Sequence, residues 1–367
     1  MPIGENPFTP SFGEVPAHVA GRRSVIEAVL RALKSERRRP DLTTLLSGAR
    51  GTGKTALLSL LARDAEGLGW ISASVTAMPG MLEDIELRTM REARHLLPES
   101  KGVHVTGVSI PQVAGISFER DEGRQGNWRS RMDDLLDALE TTGTGLLITV
   151  DEIDVELDEL KQLATVYQHF VREGRKVGLL MAGLPNNVSS LVSNKTVSFL
   201  RRAQIVYLGR IEDYEIEDAM DRSIREAGRS IGKEDLRRAV RAIDGFPFMM
   251  QLVGYRAWEA NPDHEEITSA DVSLGIEIAG QEMRSRILEA TYRELSPEDI
   301  RFARAMLDDE GDSRIADIRG RLGKSSSQIA QYRKRLMDAG VIGARSRGFV
   351  GFDLPLFREF LEEKPEF

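Results

Sequence analysis

Cysteine is absent from this 367-residue chain. That excludes a disulfide framework, a thiolate zinc site and a cysteine nucleophile together, and fits a reducing compartment. No run approaches the roughly 18 apolar residues from which a membrane helix is built. The opening Met1-Pro2-Ile3-Gly4-Glu5-Asn6-Pro7 carries neither the basic nor the apolar block of a signal peptide. The expectation is a cytoplasmic protein without a membrane segment. Histidine is scarce too, and His18, His95, His104, His169 and His264 show no metal-ligand spacing. Repeats and low-complexity tracts are also missing. Apolar residues at 41% and charged residues at 29% match ordinary soluble usage, against wholesale disorder. At roughly 150 residues per domain, the length implies two or three domains.

A net charge of −8 argues against a surface coated in nucleic acid. The average conceals an asymmetry. Between Ser313 and Gly348 there are nine basic residues (Arg314, Arg319, Arg321, Lys324, Arg333, Lys334, Arg335, Arg345, Arg347) against Asp317 and Asp338. This 36-residue window therefore carries +7 and the remainder −15. A basic module attached to an acidic body is the implied arrangement.

Along the chain, residues 1–20 read as an extended, proline-rich arm. A helix is expected over roughly Ser24 to Ser35, capped by Ser24, with Val25, Val29, Leu30 and Leu33 on one stripe, and Pro40 stops it. Leu42–Leu46 reads as a buried strand feeding a glycine loop, and a helix resumes at Lys54. Trp70–Val75 reads as a strand and Met81–Leu97 as a helix. Residues 101–120 suggest a projecting β-hairpin, and a further helix runs from Trp128 to about Leu139. Leu146–Val150 and Val177–Ala182 are two more apolar runs, each preceded by a helical pattern. Strands alternating with helices and apolar on both faces imply a parallel sheet covered by helices. Past Arg210 the strand signals cease, and helical patterns continue to about Arg293. The tryptophans Trp70, Trp128 and Trp258 read as packing.

Chemistry is concentrated in Gly48-Ala49-Arg50-Gly51-Thr52-Gly53-Lys54-Thr55, which fits G-x-x-x-x-G-K-[ST] without departure. Glycines let backbone N–H groups wrap phosphates, and the helix starting at Lys54 aims its positive dipole end at them. Lys54 suits the β and γ oxygens; the Thr55 hydroxyl suits Mg²⁺. Leu146-Leu147-Ile148-Thr149-Val150-Asp151-Glu152 delivers an acidic pair from a buried strand, at the end where open α/β sheets bind ligands. Asp151 would hold the metal and Glu152 would polarise the attacking water. Asp154 reads as a capping or solvated acid.

These motifs resemble the AAA+ and related P-loop ATPases. The order of core, helical lid and C-terminal winged helix is most similar to the origin-recognition and archaeal replication-initiator type. The resemblance implies ATP and Mg²⁺ as cofactors and ATP hydrolysis as the reaction. It implies that Val19-Ala20-Gly21-Arg22 closes over adenine, with Val19, Gly21 and Arg22 as binding residues. It places Asn186, in Leu184-Pro185-Asn186-Asn187, where an amide contacts the γ-phosphate or orients the water; the same residues also read as a turn. Arg201 and Arg202 fall where an arginine finger reaches a neighbouring subunit, and equally read as surface arginines. In the lid, Gly245-Phe246-Pro247-Phe248 has no arginine at the place the initiator type provides one, and resembles the G-x-P element of signalling and transposon-associated ATPases.

The basic window reads as a helix-turn-helix with a wing. Ala316, Ile318 and Leu322 mark one short helix; Ile329, Tyr332 and Leu336 are the buried stripe of the next. Val341–Phe352 forms two strands around the tip Arg345-Ser346-Arg347-Gly348. Lys324, Ser326, Gln328, Gln331, Arg333, Lys334, Arg335, Arg345 and Arg347 are the expected contacts to duplex DNA, since charge concentrated on a module is what counterion release requires. A winged helix used for protein contacts, its basic face merely solvated, is the other reading. The expected domains are an arm (1–20), an α/β P-loop core (21–208) with the hairpin, an all-α lid (209–295) and a winged helix (296–367). Homo-oligomers or a partner protein are expected with the finger reading.

Overall fold

A computed structural model describes residues 3–11, 13–94 and 127–365. The expected hairpin at 101–120 lies outside the described residues. The helix α1 (Arg23–Leu33) buries Val29, Ala32 and Leu33, and Arg22 rather than Ser24 stands at its N-cap. It ends before Pro40, which instead opens a short 3₁₀ turn into β1 (Thr43–Ser47). Then come α2 (Lys54–Gly67), β2 (Trp70–Thr76) and α3 (Met81–Ala93). After the undescribed stretch follow α4 (Trp128–Thr141), β3 (Gly145–Asp151), α5 (Asp158–Arg172), β4 (Val177–Gly183), α6 (Pro185–Ser193) and β5 (Gln204–Tyr207).

The strands form one parallel sheet in the order β2-β3-β4-β1-β5. Its central strands are apolar throughout because both faces are covered. Alternation along β3 divides the work: Leu146, Ile148 and Val150 pack with α3, α4 and α5, whereas Leu147 packs with Leu57 and Leu61 of α2 and Leu33 of α1. Each such side chain contributes about 1.5–3 kcal/mol by leaving water. The register aligns Ser47 with Gly183 and Tyr207, and Asp151 with Thr76. The loops that follow β1, β3 and β4 therefore emerge along one edge of the sheet.

The lid comprises α7 (Asp213–Glu226), β6 (Ser230–Ile231), α8 (Lys233–Ile243), α9 (Pro247–Glu259), β7 (Glu266–Ile267) and α10 (Ser269–Met283). The lid is not purely helical: β6 and β7 pair in parallel, and at two residues each they are too short to show alternation. A π turn at Arg284–Leu288 joins α10 to α11 (Glu289–Glu294), making one helical rod. Beyond it lie α12 (Pro297–Ala305), β8 (Ser313–Arg314), α13 (Ile315–Leu322), α14 (Ser326–Asp338), β9 (Ile342–Ala344), β10 (Phe349–Phe352) and α15 (Phe357–Glu363). The sheet β8-β10-β9 is antiparallel, with Arg345–Gly348 between its last two strands. Its strand β8 has no alternation in the sequence to announce it.

One apolar core runs unbroken from the lid (Ile216, Leu252, Met283) through the rod (Leu288) into the C-terminal module (Phe302, Leu336, Phe357). The N-terminal arm is extended as expected but docked: Phe8 is buried against Gly254 of α9, and Asn6 Nδ2 donates to the Tyr255 carbonyl at 3.3 Å. Among the described residues no helix is long and apolar enough to cross a membrane.

Candidate active site

The phosphate loop leaves β1 at Ser47 and enters α2 at Lys54. Gly51 sits at φ +77°, and a Cβ there would lie 2.6 Å from the Phe246 ring, so only glycine admits both the turn and the lid. The 14-residue helix α2 has no side-chain cap, leaving its first amides for an anion. Lys54 is buried, and its Nζ donates to the carbonyls of Gly48 at 3.0 Å and Ala49 at 2.8 Å. Burial pushes this ammonium below its ordinary range, and the carboxylates of Glu152 and Asp151 push back. Thr55 donates its hydroxyl to Asp151 Oδ2 at 2.5 Å, across 96 residues of sequence. A hydroxyl and a carboxylate so placed are hard oxygen donors of the kind Mg²⁺ takes. A cleft of about 400 Å³ lined by Thr55, Ser74, Thr76, Asp84, Arg88 and Asp151 opens beside them.

Glu152 occupies the left-handed region at φ +58°, one of three non-glycine residues with positive φ among those described. Its N–H donates to Asp151 Oδ1 at 2.9 Å. Strain of this kind costs on the order of 1–3 kcal/mol and persists where surrounding structure enforces it. Asp154 accepts the Glu156 N–H and serves the turn locally.

From the sensor segment, Asn186 is exposed at the start of α6, and its side chain has no hydrogen bond among the described residues. Asn187, read from the sequence only as part of a turn, donates Nδ2 to the Ile153 carbonyl at 2.6 Å. Arg201 and Arg202 lie on a 3₁₀ turn (Ser198–Arg202) before β5. Both are exposed; Arg201 Nε donates to the Val192 carbonyl at 3.3 Å, and Arg202 has no partner among the described residues.

In the segment Val19–Arg22, Gly21 abuts Ile211 at the lid entrance. Arg22 is a buried strut: it donates to the Gly209 carbonyl at 2.7 Å and the Thr52 carbonyl at 3.4 Å, and burial lowers its pKa. Its guanidinium thus joins the phosphate loop to the lid entrance instead of standing free for a ligand. Arg50 reaches outward to Glu294 at 2.6 Å. The lid returns to the loop through Phe248, whose N–H donates to the Gly51 carbonyl at 3.3 Å, and through Phe246, so apolar contact occupies the place where an arginine was sought.

The C-terminal module differs most from expectation. Residues 296–367 hold thirteen basic and thirteen acidic residues, so the whole module is neutral. Arg335 is committed to Asp299 at 2.7 Å and to Ser296 at 3.2 Å, and the Asp299 bond raises its pKa. Arg345 folds back on Asp353 at 2.7 Å and on the Phe352 carbonyl at 2.9 Å. Both are engaged by acids that lie outside the basic window. Lys324 faces Glu298 at 3.4 Å and Lys334 faces Asp338 at 3.0 Å. Gln328 closes a capping box with Ser325, Ser326 accepts from Arg319 at 3.0 Å, and Arg333 is half-buried with Nε unpartnered. Gln331 and Arg347 are exposed.

This module also touches the phosphate loop. Gly340, just after α14 at φ +71°, is buried, and a Cβ there would fall 2.1 Å from Ala49 Cβ. Helix α14 packs on α6 as well.

The family described as a domain of unknown function (DUF8462) matches residues 285–361, the end of the rod and most of the C-terminal module. No curated relative matches the sequence. Among solved structures, the ORC2 protein of Aeropyrum pernix, in ADPNP–ADP complexes, is similar with a TM-score of 0.67 at 16% identity, covering 98% of this chain and 97% of its own. A Walker-type ATPase of Pyrococcus abyssi reaches 0.65 at 15% identity, covering 94% and 96%. The Cdc6p structure of Pyrobaculum aerophilum reaches 0.50 at 15% identity, covering 96% and 95%. The likeness is one of fold: this chain is built as the archaeal origin-recognition and Walker-type ATPases are.

Proposed function

We propose that the protein is a Mg²⁺-dependent ATPase whose nucleotide state sets the position of its C-terminal module and through it the hold on duplex DNA. The observation that carries this reading is Ala49. Its carbonyl is the resting partner of Lys54, and its side chain is the seat of Gly340. A triphosphate that draws Lys54 off that carbonyl acts on the residue against which the module rests.

The uncapped amides of α2 and the Lys54 ammonium would bind the phosphates, while Thr55 and Asp151 would hold Mg²⁺. The ion would supply neutralisation of the phosphate charge. Glu152 accepts a proton from the water that attacks the γ-phosphorus; the bond to the bridging oxygen breaks, leaving ADP and phosphate. Asn186 is available to the γ-phosphate from the start of α6. Arg202, always charged and without a partner among the described residues, suits a neighbouring copy's phosphate better than Arg201, which is tied to α6. Gln331 and Arg347, both exposed, form the surface left for DNA.

A second reading has its own support. The neutral module, with its cations paired internally, suits a switch that holds ATP and uses the module for protein contacts. Hydrolysis with and without duplex DNA at two salt concentrations separates the two. DNA-stimulated, salt-sensitive turnover supports the first; tight ATP binding with negligible turnover and no DNA effect supports the second. Glu152→Gln should slow hydrolysis roughly 100-fold or more while sparing ATP binding, and unchanged turnover removes Glu152 from its role.

A further inference from the structure

We propose that Asn187 is a positioning residue for hydrolysis: through the Ile153 carbonyl it holds the turn that presents Glu152. The inference rests on the proposed role of Glu152 as the base and adds to it.

The acidic turn is Asp151-Glu152-Ile153, and it is held from both ends. On the near side, the Glu152 N–H is bound by Asp151 Oδ1 at 2.9 Å. On the far side, Ile153 is fixed at three points. Its N–H donates to the Ala182 carbonyl at 2.9 Å, and its carbonyl accepts from Asn187 Nδ2 at 2.6 Å. Its side chain, with no exposure, fills the space above Gly183, where an added Cβ would lie 2.8 Å away. Between these anchors Glu152 is left at φ +58°, a conformation a glutamate does not adopt without enforcement.

Of the Ile153 anchors, the backbone bond and the packing set the end of the strand crossing. The Ala182 bond holds the peptide that follows Glu152, and the Asn187 bond holds the next one, between Ile153 and Asp154, so that it fixes the exit of the turn. It comes from α6, whose first residues include Asn186, so the two adjacent asparagines divide the labour. Asn186 is open to a phosphate; Asn187 is spent on the turn. The carboxylate of Glu152 also acts electrostatically on Lys54. Without the Asn187 donor, the Ile153 carbonyl loses its partner, the exit of the turn loosens, and the positive φ of Glu152 is enforced from fewer sides. The carboxylate then leaves the attack position, and small displacements of a catalytic group cost on the order of 100-fold.

The test is single-turnover and steady-state ATP hydrolysis by the full chain, with ATP binding by calorimetry and thermal midpoints recorded for every variant. Asn187→Ala and Asn187→Asp both remove the donor, the second at unchanged size, and both should lower turnover roughly 10- to 100-fold with ATP affinity within about twofold of the parent. Asn187→Gln keeps an amide donor and should recover part of the rate. Combined with Glu152→Gln, Asn187→Ala should cost nothing further, because the group it positions is gone. Multiplicative losses in the double variant would overturn the proposal, as would parent-like turnover by Asn187→Asp. A Glu152→Gln enzyme with full turnover overturns the role of Glu152 first, and this inference with it; that outcome is read from the single variant alone.

Discussion

The phosphate loop and the basic stretch of the C-terminal module were the two chemical signals in this sequence, and they behave differently once folded. The loop is contiguous: eight neighbouring residues make the turn, and the acids that complete it lie at the end of one buried strand. Its charges have few other places to go, so Lys54 finds only backbone carbonyls and two carboxylates. Of the module's nine window cations, Arg321, Lys324, Arg335 and Arg345 find acidic partners outside the window, on α12 and in the segments that flank the small sheet. Local sequence fixes a backbone motif, whereas net charge on a surface is settled by tertiary neighbours. The backbone of a loop can therefore be read from spacing, whereas the free charge of a surface cannot be read from a run of basic residues alone.

The sharpest way to break the comparison is to remove the loop's own charge. Lys54→Met should weaken ATP binding by roughly 10- to 100-fold, as loss of a charge-assisted contact of about 1.5–3 kcal/mol predicts. Calorimetric titration reads it directly, and parent-like affinity would mean that the loop is not the phosphate site.

Two arginines of the module give the next effect. Arg335→Ala strands Asp299, which is 3% exposed, and should lower the module's stability by about 2 kcal/mol, seen as a fall in thermal midpoint with little change in DNA affinity. Arg347→Ala should do the reverse: an unchanged midpoint, and a loss of about 0.9 from the slope of log affinity against log salt if it meets one phosphate. If the Arg335 variant instead keeps its midpoint and loses DNA, the basic window acts as its composition suggested.

Much of the core was legible because its signals are periodic or contiguous. The parallel strands at 43–47, 70–76, 145–151 and 177–183 lie within a residue or two of their apolar runs, since burial on both faces leaves no polar alternation to mislead. The stripe Ile329, Tyr332 and Leu336 is buried as read. What escaped was long-range. Nothing in Asn186-Asn187 distinguishes the free amide from the committed one. Gly340 read as a helix terminator, which it is, but its seat on Ala49 depends on how the lid and module return to the loop. Lid and module were expected as separate regions along the chain, yet a single apolar core joins them through the rod at 269–294. The Phe8 arm likewise declared its aromatic content and not its address on α9.

The joint between the two regions is testable at Gly340. Gly340→Ala places a methyl group against Ala49 and strains a left-handed residue by about 1–2 kcal/mol. It should loosen the module and, by reciprocity of coupling, raise ATP affinity roughly fivefold. The chain lacks cysteine, so spin labels at Ser189→Cys on α6 and Ala330→Cys on α14 can follow the separation without background. An unchanged distance and unchanged ATP affinity in the Gly340 variant would separate the module from the nucleotide loop.

The smallest effect lies in the acid range. Arg321, one of the nine window cations, is bound to Asp309 through two contacts of 2.6 Å, and these hydrogen bonds hold the Asp309 carboxyl down at about 2. An unfolded aspartate titrates near 3.8. Because the folded value is the lower one, the pair's contribution is fully present above about pH 4 and is lost as pH falls toward 2. Thermal midpoints of the parent should therefore drop over that interval. Asp309→Asn should start lower at neutral pH and show a shallower decline there. Parallel curves would mean that Arg321 is solvated, and that this cation, unlike Arg335 and Arg345, remains part of a free basic face.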